Sequence, residues 1–115
     1  MTDRSAAVSP LSPQVFQILL SLVDQDLHGY AIIQDVAART DNEVRLTAST
    51  LYAAVKRLLD QGLLDEVRSR ARDDDPRRRY YRLTPAGRKA ARDEALRLER
   101  LAAMARDKRL LPTSR

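Results

Sequence analysis

Apolar side chains recur at helical spacing near the start of the chain. Val15, Ile18, Leu19, Leu22 and Val23 form one wide face running to about Gln25. Ser12-Pro13 supplies a start signal, a hydroxyl cap followed by proline at the first helical position. A second helix is predicted from Gly29 in "DLHGYAIIQDVAART", with Tyr30, Ile33, Val36 and Ala37 on its inner face and the turn formers Thr40-Asp41-Asn42 ending it. Thr47 caps a third, "ASTLYAAVKRLLDQ", which Gly62 stops. At 100° steps Leu51, Val55 and Leu58 fall on one line, flanked by Ala54 and Leu59. Ser49, Ala53, Lys56 and Asp60 fall opposite, with Arg57 beside them. "LLDEVRS" and "RRRYYRLT" then alternate with period two, so that Val67, and Tyr81 with Leu83, face inward. The polar stretch "RSRARDDDPRR" between them suits a hairpin tip. Thr84-Pro85 opens a long helix to about Arg109. Along it Ala91, Ala95, Leu98, Ala102 and Ala105 make a heptad seam thickened by Leu101.

The predicted fold is mainly α with a small β-hairpin: a winged helix-turn-helix over 11–84 and a C-terminal dimerisation helix over 85–110. A disordered leader (1–10) and a flexible tail (111–115) flank it. Composition narrows the chemistry. Without cysteine there is no disulfide and no thiolate metal site, and with His28 as the one histidine a multi-histidine metal site is impossible. No nucleophile–base–orienter set is apparent, so neither an enzyme nor a cofactor is expected. No apolar run approaches the ~20 residues of a membrane span, and the N-terminus lacks the order of a secretory signal; the expectation is a cytoplasmic protein.

The net charge of +5 is uneven: residues 1–44 carry −4, 45–82 carry +4 and 83–115 carry +5. Positive charge concentrated behind residue 44 suits a polyanion, and in this fold the third helix enters a DNA major groove while the wing reaches the backbone. Small Ser49 and Ala53 allow close approach. Lys56 and Arg57 reach phosphates or guanine edges, and Thr50 and Tyr52 flank the face as hydrogen-bond donors. The wing adds Arg68, Arg70, Arg72, Arg77, Arg78 and Arg79, with Asp73, Asp74 and Asp75 at the turn holding some arginines off until DNA competes. His28 reads as a residue at the start of the second helix, a cap or a surface side chain, and Tyr80 and Tyr81 as strand residues packing the hairpin. The rival reading is an interaction module whose basic wing binds a protein and whose last helix joins a partner bundle.

"LHGYAIIQDV", "LTASTLYAAVKRLLDQGLL" and "RRRYYRLTPAGRKA" together resemble the PadR family of bacterial transcriptional regulators. His28-Gly29-Tyr30, Leu51-Tyr52, Leu58, Gly62-Leu63, Tyr80-Tyr81, Leu83-Thr84 and Gly87 carry the likeness over roughly residues 11–90, in the compact subgroup with one C-terminal helix. The resemblance implies a homodimeric repressor on a palindromic operator of double-stranded DNA, contacted by Ser49, Thr50, Tyr52, Lys56 and wing arginines such as Arg77 and Arg78. In some members it also implies release by phenolic acids or hydrophobic drugs bound near the dimer interface. Ser49 and Ala53 stand where the family often has glycine and proline, so base preference does not carry over. The chain also lacks the tryptophan that compact drug-binding members often place at that interface.

Overall fold

Each helix opens on a side chain that accepts a hydrogen bond from a backbone N–H three residues on. In the computed structural model, which describes residues 10–68 and 78–112, Ser12 caps α1 (Pro13–Ser21), His28 caps α2 (Gly29–Arg39), Thr47 caps α3 (Ala48–Asp60) and Thr84 caps α4 (Pro85–Asp107). Such caps satisfy amides that the first turn leaves without helical partners. α3 ends as its glycine requires. Gly62 takes φ +77°, Leu63 N–H donates to Leu58 C=O at 2.9 Å and Gly62 N–H to Leu59 C=O at 3.0 Å. α4 closes in the same way on Arg109, at φ 65°.

The sheet has three strands rather than the expected two. β1 (Leu27–His28) pairs with β3 (Tyr80–Leu83), which pairs with β2 (Leu64–Val67), all antiparallel in the order β1-β3-β2. Two residues carry no period, so β1 left no trace in the hydrophobic pattern. The register Leu64↔Leu83 and Glu66↔Tyr81 puts those four residues on the side facing the helices. Val67 pairs with Tyr80 on the other side, which corrects its expected inward placement.

The core joins Ile18, Leu19 and Leu22 with Ile32, Val36, Leu51, Val55 and Leu58, and is closed by Leu64, Tyr81, Leu83 and Ala91. Three expectations change here. α1 stops at Ser21, with Leu22 as its C-cap, short of Gln25. Tyr30 is 62% exposed, and Ile32, fully buried, takes the inward position in α2. Ala91 is buried against its own domain and so belongs to this core rather than to a seam between chains.

Two polar clusters fix the helices to one another. Buried Ser21 donates to Asp35 at 2.7 Å, and Arg39 donates to Ser21 (2.7 Å), Asp35 (2.8 Å) and Gln17 (2.8 Å), locking α1 to α2. Burial acts to raise the Asp35 carboxyl, but hydrogen bonds from Arg39 and Ser21 outweigh it and hold the group below its ordinary value. On α4, buried Glu94 accepts from Arg97 Nε and from Leu11 N–H, both at 3.1 Å, tying the chain ahead of α1 to the long helix. The Arg97 hydrogen bond keeps the Glu94 carboxyl low against its burial, with Leu11 N–H adding to the effect.

Candidate nucleic-acid interface

The apolar line of α3 (Leu51, Ala54, Val55, Leu58) is spent on the core, so Ser49, Ala53, Lys56 and Asp60 face outward and are all exposed. The first turn carries a hydroxyl cluster. Thr47 Oγ1 accepts from Thr50 N–H at 3.1 Å, donates to Thr50 Oγ1 at 3.0 Å and lies 3.4 Å from Ser49 Oγ. Lys56 Nζ stands 3.5 Å from Asp60, an exposed pair one turn apart that contributes little to stability. Asp60 also places a negative charge on the last turn, beside the cations Lys56 and Arg57.

The two flanks of α3 differ. Arg57 points to the α1 side, where it lines a small cleft of about 210 Å³ with Leu11, Ser12, Val15 and Gln61. Tyr52 points to the wing side. There an open groove of about 650 Å³ is lined by His28, Gly29, Tyr30, Tyr52, Arg78, Arg79 and Tyr81. It brings together the start of α2, the flank of α3 and the base of the wing. Its depth depends on Gly29, because a Cβ there would meet the Tyr52 oxygen at 2.2 Å.

Charges and rings surround the groove. His28 Nδ1 accepts from Ala31 N–H at 3.2 Å, which leaves the ring proton on Nε2. The Arg78 guanidinium, 3.5 Å from that Nε2, is therefore a packing neighbour rather than a donor to it. The ring also meets Tyr80 edge to face, 5.3 Å between centroids. Arg79 Nε lies 3.7 Å from Glu66. Burial pushes the Tyr81 phenol up; nearby Tyr52 and Glu66 push the same way and Arg79 partly offsets them. Behind the groove the outer side of the sheet is closed by a two-pronged ion pair, Arg82 to Asp26 at 2.7 and 3.1 Å.

Of the expected DNA-contacting residues, the fold collects Tyr52, Arg78 and Arg79 in one groove, sets Ser49, Thr50 and Lys56 on the adjoining face, and turns Arg57 to the far flank. Arg70, Arg72 and Arg77, with Asp73–Asp75, lie outside the described residues. Gly29, Tyr30 and Glu66 were missed. "HGY" was visible as a string, but only the α2–α3 crossing brings it to Tyr52, and only the strand register brings Glu66 to Tyr81.

Residues 18–93 match the sequence model of the family described as Transcriptional regulator PadR-like family. The chain belongs to that family. Regulators of the PadR family are non-enzymatic DNA-binding proteins. Among relatives, the transcriptional regulator Rv3488 of Mycobacterium tuberculosis is 36% identical over 85 residues, 74% of this chain and 75% of that one. An uncharacterised protein of Lysinibacillus sphaericus is 33% identical over 70 residues, 61% of this chain and 63% of its own length. A solved transcriptional regulator from Clostridium thermocellum superimposes with a TM-score of 0.70 at 28% identity, covering 81% of this chain and 89% of that one.

In this PadR-family chain α4 has two distinct halves. Its first half buries Gly87, Ala91 and Glu94 against the domain. The same stripe continues past the domain's edge as Leu98, Leu101, Ala102 and Ala105, where Leu98 is 39% and Leu101 46% exposed. Ala95 beside it is exposed. Among the described residues no helix is long and apolar enough to cross a membrane.

Proposed function

We propose that this PadR-family regulator binds double-stranded DNA as a homodimer at a palindromic operator and acts there as a repressor. The observation that carries the reading is the adjacency of two surfaces: the small outward face of α3 around Ser49 and Ala53, and the groove holding Tyr52, Arg78 and Arg79. A major groove accommodates the first and its flanking backbone the second. In this reading Ser49, Ala53 and Lys56 meet base edges. Thr50, Tyr52, Arg57, Arg78 and Arg79 hold phosphates, and the sequence assigns Arg70, Arg72 and Arg77 the same role.

The uncovered continuation of the α4 stripe supports pairing of two copies through Leu98, Leu101, Ala102 and Ala105, with Ala95 at its margin. Two copies then present two α3 helices to half-sites about one helical turn apart, ~10 base pairs or a multiple. An effector of the small hydrophobic or phenolic kind enters this reading through the family resemblance alone.

The test is selection of bound fragments from a genomic library, with the mass of the complex measured and binding repeated across salt. The expected result is an enriched sequence with twofold symmetry, two chains per site, and a log–log salt slope near −5 for about six phosphates neutralised. A slope near zero removes the electrostatic account. Enrichment of asymmetric or random fragments removes the palindromic operator.

A further inference from the structure

Glu66 places a carboxylate on the side of the wing that faces the groove. Cross-strand partners share a side of the sheet, and Glu66 pairs with Tyr81, whose buried phenol packs toward the helices. Its neighbour Asp65 instead pairs with Arg82 on the outer side. The two sides are built differently. Outside, Arg82 is held by Asp26 through two hydrogen bonds, at 2.7 and 3.1 Å. Inside, Arg79 Nε stands 3.7 Å from Glu66, beyond hydrogen-bond length, with 70% and 44% of the two side chains exposed. The outer pair, its side chains 49% and 35% exposed, is held by hydrogen bonds, whereas the inner pair has none within hydrogen-bond length and is open to exchange. Glu66 does not line the groove, but its two neighbours Arg79 and Tyr81 do, which sets its carboxylate at the groove's edge.

We propose that Glu66 is an internal competitor for the phosphate grip of Arg79. In the free protein its carboxylate attracts the guanidinium, and on binding a DNA backbone phosphate takes that place while Glu66 turns to water. The exchange replaces one anion by another at the same cation and breaks no covalent bond. It weakens attraction to any duplex, since phosphate must displace a resident anion before Arg79 contributes. The inference rests on the DNA-binding reading above and adds a residue that opposes it.

The experiment uses the full chain and a fluorescently labelled random-sequence duplex, with binding followed by anisotropy at several salt concentrations. The proteins are the wild type, Glu66→Gln, Arg79→Gln and the double variant. Glu66→Gln is expected to tighten binding about threefold per protomer, with the log–log salt slope little changed, because the same phosphates are neutralised in both complexes. In the Arg79→Gln background the same substitution is expected to change little, because the cation under competition is gone. Unchanged or weaker binding by Glu66→Gln, with wild-type binding intact, overturns the competitor alone. An equal gain in both backgrounds also overturns it, reducing Glu66 to a repelling charge. Failure of the wild type to bind any duplex in a salt-dependent way overturns the DNA reading, and the competitor with it.

Discussion

The phenol of Tyr52 rests on the bare Cα of Gly29, so closely that a methyl group added there would lie 2.2 Å from the tyrosine oxygen. Elsewhere in a helix Gly→Ala is neutral or stabilising, because it restricts the unfolded chain. Here Gly29→Ala forces the exposed ring aside while leaving the core untouched. The expected outcome is a melting temperature within a few degrees of wild type and DNA affinity lower by about tenfold, the size of one lost contact to a charged group. In a Tyr52→Ala background the substitution should have no further effect on binding. An additive loss in that background would mean that Gly29 acts on DNA by some other route than the ring.

The α3 face was legible in the sequence because thirteen residues at 100° steps leave little freedom: Leu51, Ala54, Val55 and Leu58 inward fixes Ser49, Ala53 and Lys56 outward. α2 was less legible. Tyr30, Ile32 and Ile33 offer apolar residues on several bearings, and the choice of Ile32 over Tyr30 follows from where α2 crosses α3. The period-two pattern of "LLDEVRS" offers Val67 as the inward residue, but pairing sets the phase, and Leu64↔Leu83 puts Glu66 on the helix side instead. The groove was invisible for a related reason. His28, Tyr52 and Arg79 are far apart along the chain, and each alone suits an ordinary cap, flank or wing residue.

Acid should weaken the fold through two carboxyls held low. The Arg97 hydrogen bond keeps Glu94 below its ordinary 4.5, and Asp35, despite burial, is held below 3.8 by Arg39 and Ser21. Such groups contribute fully above their unfolded values, and that contribution is lost as pH falls through the lowered ones. The melting temperature is therefore expected to be level from neutral pH to about 5 and to fall below about 4.5. Glu94→Gln should be less stable at pH 7 by about 1–3 kcal/mol. That deficit should narrow toward pH 3, as the wild type loses the same interaction. A deficit that stays constant across the titration would show that the charge of Glu94 is not what stabilises the helix junction.

The turn out of α3 sets the position of the wing. Gly62 holds φ +77° while Thr84 Oγ1 donates to its carbonyl at 2.8 Å, so the C-terminus of α3 and the start of α4 are fastened at one residue. Gly62→Ala places a side chain on a left-handed residue and should lower stability by about 1 kcal/mol, read from denaturant midpoints at unchanged slope. Arg109 adopts the same conformation without glycine's freedom. Arg109→Gly should therefore be neutral or slightly stabilising, the opposite sign at an equivalent turn. Equal destabilisation by both would point to lost side-chain contacts instead of backbone conformation.

The proposed pairing of two copies is most open to test on α4, because its apolar residues divide between opposite sides. Leu98 and Leu101 continue the stripe that Ala91 begins, whereas Leu96, equally exposed, lies on the opposite side of the helix. Leu101→Lys should separate the chains at micromolar concentration in sedimentation equilibrium. It should also roughly halve the salt slope for DNA, since one protomer carries half the phosphate contacts. Leu98→Lys should act in the same direction. Leu96→Lys should leave mass and slope as they are, and so controls for added charge on a DNA-binding protein. If Leu101→Lys kept the mass of two chains while Leu96→Lys lost it, pairing would run through the other face, and the continuity of the core stripe into an interface would be disproved.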